Sequence, residues 1–327
     1  MKVCVGGAGG FIGGHLVKRL LDLEFDVVAA DIKPFSEWHQ IHQEANNLFD
    51  LDLRSLSNCL VATSKCDQVY NLAADMGGMG FIATHRVDCM ESALVTINML
   101  RAASQNGCET FFYASSACVY NDGLQQDEDV SLRESDAWPA DPEPGYGMEK
   151  LFGEEIAKFY RQEKSLKTVI ARFHNIFGPY GTFFGGREKA PAAICRKVAQ
   201  AAIDGDRSIE IWGDGNQTRS FLYVDECLDG IEKMISADVA QPLNLGSSEL
   251  VSINKLVSIV EDIANVKLER KYNLNAPQGV RGRNSNNDLI RETLDWQPTQ
   301  PLIVGLEKTY SWIFDQIMSL NSGTNLS

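Results

Sequence analysis

Up to residue 175, short apolar runs alternate with longer stretches in which apolar residues recur every three or four positions. Residues 2–5 are one such run, broken by Gly6-Gly7-Ala8-Gly9-Gly10; beyond the break Phe11, Ile12, Leu16, Leu20 and Leu23 fall at helical spacing. Residues 27–30 form a second run that ends on Asp31, and further strands are predicted at 68–72, 110–114 and 168–173. Helical patterns occupy residues 54–64, 88–106 and 147–164. Strands and helices in alternation predict an α/β fold whose mostly parallel sheet is covered on both faces. After residue 175 the rhythm gives way to Gly- and Pro-rich loops. Helices are predicted there near 190–204, 225–236 and 252–265, with a short strand at 209–212.

Composition narrows the class. A chain of 327 residues at 44% hydrophobic can bury a sizeable core. The formal net charge of -14 argues against nucleic acid and against an anionic membrane surface as partners. It leaves room for a nucleotide, because a few local cations and helix N-termini suffice for a diphosphate. The eight cysteines are scattered, without a CxxC pair or a secretory leader pattern, which fits reduced thiols and a cytoplasmic location. No apolar stretch is long enough to span a membrane, and no metal site is expected.

The glycine turn gives the first half its chemistry. Gly7, Gly10 and Gly13 make a GxxGxxG turn between strand and helix, where backbone amides can meet a pyrophosphate. Phe11 and Ile12 lie inside this turn. Asp31, ending the second strand, can bind both ribose hydroxyls and repel a 2′-phosphate, which favours NAD; Lys33 stands close by. Asp52 can accept from an adenine amine, and Asp50 is equally placed for that task. The prediction is a Rossmann-type doubly wound parallel sheet over residues 1–174, with some later segments returning to it. Residues 175–318 mainly form a smaller α/β substrate-binding domain, and 319–327 a frayed polar tail.

Tyr146 and Lys150 in YGMEK are four apart and share a helix face. A nearby ammonium and an oxidised nicotinamide both favour the phenolate, which makes Tyr146 a usable base. Ser116 ends a predicted strand, where open α/β sheets present ligand-facing groups, and can hold a substrate hydroxyl. Cys118 and Lys189 are surplus to moving one hydride and one proton. The bland readings are a small buried hydrophobe for Cys118, a surface lysine or phosphate contact for Lys189, and a satisfied core histidine for His174.

The strings GGAGGFIGGH, NLAAD, YASSACVY, YGMEK and FHNIFGP resemble the extended short-chain dehydrogenase/reductases that act on nucleotide sugars, over nearly the whole chain. More narrowly, DMGGMGF, SSAC, GGREKAPAA, WGDGNQTRSF and GVRGRN resemble the nucleotide-sugar 3,5-epimerases of that family. The resemblance implies NAD, held also by Leu72, Ala73 and Ala74, and GDP-mannose or a close nucleotide sugar as substrate. It implies a homodimer built from the helices near 88–106 and 147–164. Transient oxidation at C4 would acidify the hydrogens at C3 and C5, and Cys118 and Lys189 would be the acid/base pair that inverts those centres. Desolvation beside other cations, with Arg187 as the candidate, would lower the Lys189 pKa. Gly77, Gly78 and Met79 would line the sugar, with Asn175 and Glu188 facing it. Lys197 and Arg281 would reach the diphosphate and Arg219 would help close the site.

The chain departs from the family at Gly6, usually Thr, at Glu91-Ser92, where an Asn is common, and at Asn121-Asp122-Gly123. Rival readings are another NAD-dependent nucleotide-sugar epimerase, a 4,6-dehydratase, which wants a carboxylate at position 118, and a non-catalytic NAD-sensing regulator.

Overall fold

A computed structural model describes residues 1–322 of the chain. Its centre is a seven-stranded sheet of order β12-β7-β5-β4-β1-β2-β3 in which every pairing is parallel. The strands are β1 (Lys2–Gly6), β2 (Asp26–Ala30), β3 (Asn46–Leu48), β4 (Gln68–Asn71), β5 (Thr110–Ser116), β7 (Lys167–Phe173) and β12 (Leu243–Leu245). Period-two alternation sorts their side chains into two cores. Val3, Val5, Val27, Ala29, Phe112, Ala114, Val169 and Ala171 face one; Cys4, Val28, Ala30, Phe111, Tyr113 and Ile170 face the other. Both faces are covered, so β5 is buried at every residue.

Helices α1 (Phe11–Asp22) and α7 (Val224–Ser236) pack on the first face. On the second lie α2 (Leu56–Ala62), α4 (Arg86–Gln105) and α5 (Tyr146–Lys164), the last two side by side. Gly6, the departure before the turn, has a packing reason: a Cβ there would come within 3.1 Å of Leu53 and 3.2 Å of Met99.

Strand β12 belongs to this sheet although it lies beyond residue 175, pairing Leu243–Leu245 with Ala171, Arg172 and Phe173. The rest of the second half builds the smaller lobe. A four-stranded sheet of order β13-β10-β15-β6 comprises β13 (Leu250–Ser252), β10 (Thr218–Ser220), β15 (Gly282–Ser285) and β6 (Ser131–Leu132). Two pairs, β8 (Ile176–Phe177) with β11 (Leu222–Tyr223) and β9 (Ser208–Trp212) with β14 (Glu269–Asn273), flank it. Helices α6 (Ala190–Asp204), α8 (Ile253–Ala264) and α10 (Leu302–Ser322) pack together beside them. A short α3 (Met79–Ile82) and α9 (Asp288–Leu294) complete the chain. Helix α10 carries regular structure to Ser322, into the segment read as a frayed tail; residues 323–327 of that tail lie outside the described residues.

In the large sheet the chain runs outward from β1 in both directions, through β2 to β3 on one side and β4 to β5 on the other. The crevice at the carboxyl ends of such a switch point is where doubly wound sheets bind ligands.

Candidate active site

At the switch point, the turn after β1 is held by Gly7 and Ala8 amides donating to the Ala30 carbonyl. A Cβ on Gly13 would overlap the Gly7 carbonyl, so only glycine lets α1 begin this close to the strand. The Asp31 carboxylate accepts from the Gly9 amide at 2.9 Å and from the Lys33 amide at 2.9 Å, fixing it beside the turn. Burial raises its pKa, with the Lys33 amide and charge opposing. Leu72, Ala73 and Ala74 follow β4 against the turn, the Leu72 amide donating to the Gly6 carbonyl. Beneath them the side-chain amide of buried Asn71 has no hydrogen-bond partner at either end among the described residues. These residues fit a dinucleotide: an amide-lined turn at a helix start, a fixed carboxylate, and polar groups still to be satisfied. Asp52 has both its oxygens engaged by Arg54 at 2.9–3.1 Å.

A cavity of about 610 Å³ opens beyond this crevice, within the ~300–1,000 Å³ of small-molecule sites. Ser116, Cys118, Tyr146, Asn175, Glu188, Lys189, Lys197, Arg219 and Arg281 all line it, as do Gly77, Gly78 and Met79. Ser116 ends β5, and its hydroxyl accepts from the Cys118 amide at 3.1 Å in the 3-10 turn Ala117–Val119. Tyr146 opens α5 directly against that turn. The approach requires Gly147, where a Cβ would overlap the Cys118 carbonyl. One turn on, the Lys150 ammonium lies 5.6 Å from the Tyr146 ring centroid.

Lys189 precedes the first turn of α6, whose positive dipole end disfavours an ammonium. Its pKa is lowered, mainly by burial; Arg283 adds to this, while Cys118 and Cys227 oppose it. The neighbouring cation is thus Arg283 rather than the expected Arg187, which instead pairs with Asp75 at 2.5 Å and stacks on Phe81. Adjacency in sequence suggested Arg187; the return of β15 under the cavity supplies Arg283.

Arg283 is the residue that sequence reasoning missed, although GVRGRN contains it. It is buried, its Nη1 lies 3.2 Å from Cys118 Sγ, and its Nε donates to Gln125 Oε1 at 2.6 Å. Arg219 donates to the carbonyls of Thr218 and Val280 and has its pKa pushed down to about 9, by burial first and Arg283 second. Arg281 instead spends its charge on Asp214 and Glu128. Glu188 accepts from Arg196 and the Gly186 amide, and Lys197 donates to the Glu210 carbonyl. Six cations (Lys189, Arg196, Lys197, Arg219, Arg281 and Arg283) and four acids (Asp122, Glu143, Glu188 and Glu210) line the cavity, a local excess of positive charge on a chain of net charge -14.

Ser92, standing where an Asn is common, accepts from the Asp75 amide at 2.8 Å and so secures the Met76–Gly80 loop from behind. Asn121 accepts from the Gly123 amide and closes its own short turn.

His174 is fully buried, its Nε2 2.8 Å from Asn244 Oδ1 and its Nδ1 without a partner among the described residues. Burial pushes its pKa down to about 3. The folded value lies below the unfolded ~6.5, so the fold demands neutral imidazole. Stability from this residue is intact above pH ~6.5 and falls by ~1.4 kcal/mol per pH unit as pH drops toward 3. Urea titrations across that window should show a slope one proton shallower in His174→Asn; an unchanged slope would refute the assignment.

The chain belongs to the NAD dependent epimerase/dehydratase family, whose description matches residues 3–246. Within it, the chain is 47% identical to GDP-mannose 3,5-epimerase 1 of Oryza sativa subsp. indica, over 97% of this chain and 82% of that protein. The identity is also 47% to GDP-mannose 3,5-epimerase of Arabidopsis thaliana, over 97% and 83%. Among solved structures it resembles UDP-glucuronic acid 4-epimerase from Bacillus cereus, in complex with UDP-glucuronic acid and NAD, with a TM-score of 0.81 at 25% identity over 97% of this chain and all of that one.

Proposed function

We propose that this protein is a GDP-mannose 3,5-epimerase, an isomerase that converts GDP-D-mannose to GDP-L-galactose and GDP-L-gulose. The observation that carries the reading is one cavity holding two proton-handling sets: Ser116 with Tyr146, and Cys118 with Lys189. NAD, when bound at the β1–β4 crevice by Gly7, Gly10, Phe11, Ile12, Gly13, Asp31 and Leu72–Ala74, supplies a reversible oxidation at C4. Ser116 holds the C4 hydroxyl; Tyr146 takes its proton and later returns it. The 4-ketone acidifies the hydrogens at C3 and C5. Cys118, beside Arg283, and Lys189, at the start of α6, then remove a proton from one face of the sugar and deliver one to the other. Lys197 offers charge to the diphosphate and Arg219 helps to close the site, while Arg281 is paired with Asp214 and Glu128; Met76–Gly80 supplies a close, uncharged wall. A 4,6-dehydratase would need a carboxylate where Cys118 stands.

The test is incubation with GDP-mannose in deuterated water without added cofactor, reading product stereochemistry and label by NMR. Deuterium at C5 and C3 is expected; its absence from both would reject the reading.

We also propose a homodimer. Val87, Met90 and Leu94 on α4 and Met148, Phe152 and Phe159 on α5 expose 43–72% of their surface, in stripes at helical spacing on two helices packed side by side. A second copy covering them would form a four-helix bundle. Phe152→Glu combined with Leu94→Glu should convert a dimer to a monomer in light scattering; a dimer unaffected by both would rule out this face. No helix among the described residues is long and apolar enough to cross a membrane. All eight cysteines are free and buried, which supports a reducing, cytoplasmic setting.

A further inference from the structure

The four acids of the cavity are not alike. Glu188 is paired with Arg196 at 3.2 Å, and Glu210 accepts from the Trp212 indole at 3.0 Å. Both act on Lys197, which lies eight positions beyond Lys189 and so about 12 Å along α6. Asp122 and Glu143 stand elsewhere, around Cys118. The Glu143 amide donates to the Cys118 carbonyl at 3.2 Å, and Arg283, which touches Cys118 Sγ, lies 4.0 Å from Asp122. The Asp122 amide donates to the Asp141 carbonyl at 2.9 Å, which ties the two loops together. Asp122 belongs to the Asn121-Asp122-Gly123 departure, for which the mechanism has no task.

Glu143 is only 7% exposed, yet it has no ion-pair partner among the described residues; Arg86 and Arg283 act on it from further off. One of its oxygens has a structural use. Oε2 accepts from the Gly147 amide at 3.0 Å in the first turn of α5, where the helix dipole favours negative charge. Oε1 has no hydrogen bond among the described residues, and the side chain lines the cavity. A glutamine would serve the helix without the cost of burying a charge. Burial raises the pKa of both acids; Asp122 adds to the effect at Glu143, and Arg283 opposes it in each. Packing alone gives no reason for two carboxylates here.

A nucleotide sugar supplies one. Its diphosphate end is anionic, and its sugar end is a set of hydroxyl donors. With C4 at Ser116 and Tyr146, and C5 between Cys118 and Lys189, the hydroxymethyl that C5 carries comes to the neighbourhood of Cys118. We propose that Glu143, assisted by Asp122, accepts the C6 hydroxyl of the sugar and so selects a hydroxymethyl over a methyl or a carboxylate at C6. This rests on the epimerase reading above. The hydroxyl gives Oε1 the donor that the protein does not. A methyl leaves that charge unpaired, and a carboxylate sets a third negative charge against two.

The experiment is calorimetric binding to the protein with reduced cofactor bound, so that the sugar binds without being oxidised. The ligands are GDP-mannose and its two analogues carrying a methyl or a carboxylate at C6. Wild type should bind the methyl analogue ~10- to 100-fold more weakly than GDP-mannose, and the carboxylate analogue more weakly still. Glu143→Gln keeps an acceptor for the Gly147 amide and so keeps the helix start. It should bring the methyl analogue to within about threefold of GDP-mannose and narrow the carboxylate gap by about tenfold or more. Asp122→Asn should shift both ratios the same way by a smaller factor. Wild-type affinities for GDP-mannose and the methyl analogue within twofold of each other would overturn the proposal, with no variant needed. So would a folded Glu143→Gln that keeps the wild-type ratios. Failure of the epimerase reading is a different result, seen as absence of label from wild type in deuterated water, and the binding ratios are measured without turnover.

Discussion

Cys118→Ala and Lys189→Ala should each lower turnover of GDP-mannose by ~10²- to 10⁴-fold, the usual worth of a positioned general acid or base. The protein should stay folded. Cys118 is a small side chain in a turn whose backbone is held by Ser116, and Lys189 precedes α6 without capping it. The diagnostic is which half of the chemistry survives. Ser116, Tyr146 and Lys150 do not depend on either residue, so adding substrate should still reduce bound cofactor. Inversion requires one group to take a proton and another to give one from the opposite face, so each variant should lose product. Wash-out of label at C3 or C5 should persist only in the variant that keeps the deprotonating group. The experiment thereby divides the two roles as well as testing them. Undiminished exchange and turnover in both variants would remove Cys118 and Lys189 from the mechanism.

The pair also shows how far a site can be read before folding. Ser116, Cys118, Tyr146 and Lys189 were legible because each sits in a distinctive string, and the structure brings all four to one cavity. Arg283 and Glu143 were not singled out, for a physical reason. What an arginine or glutamate does depends on what is buried beside it, and nothing in GVRGRN or DPEPGYGMEK says that one side chain meets a thiol and the other lines the cavity. Arg187 shows the converse error, a residue two positions from Lys189 whose charge is taken up by Asp75.

The fold follows the same rule. Strands β1, β4, β5 and β7 were clear as apolar runs between helical patterns. Strand β12 was not, because Leu-Asn-Leu is too short to carry a period, and only its pairing with β7 defines it. Helix α10 follows Pro301 with apolar residues at 302, 303, 306, 310, 313 and 317, a helical period that the sequence carries.

The largest effect on stability should come from Glu154→Ala, a loss of about 3–5 kcal/mol in unfolding free energy, the range for stranding one member of a buried ion pair. Glu154 is 0% exposed and Arg172 is 3% exposed in their side chains. The guanidinium meets the carboxylate in two parallel bonds, Nε to Oε1 at 2.9 Å and Nη2 to Oε2 at 2.7 Å. Ser115 donates to the same Oε1 at 2.5 Å, and Arg172 Nη1 donates to the Glu134 carbonyl at 2.7 Å. Alanine at 154 leaves a charged arginine inside the protein with two donors unpaired, and the Ser115 hydroxyl without its acceptor. Glu154→Gln keeps the shape but not the charge and should lose less. Glu154→Leu with Arg172→Leu should recover at least half of the alanine loss, because no buried charge then remains to be satisfied. Ser115 precedes Ser116, so the variants also ask whether this pair holds the end of β5 in place. If it acts on stability alone, turnover per folded molecule stays within twofold of wild type. Urea denaturation measures the first quantity and initial rates the second. A loss below 1 kcal/mol for Glu154→Ala would mean that water or a rearranged side chain reaches Arg172, against the burial seen at the end of β7.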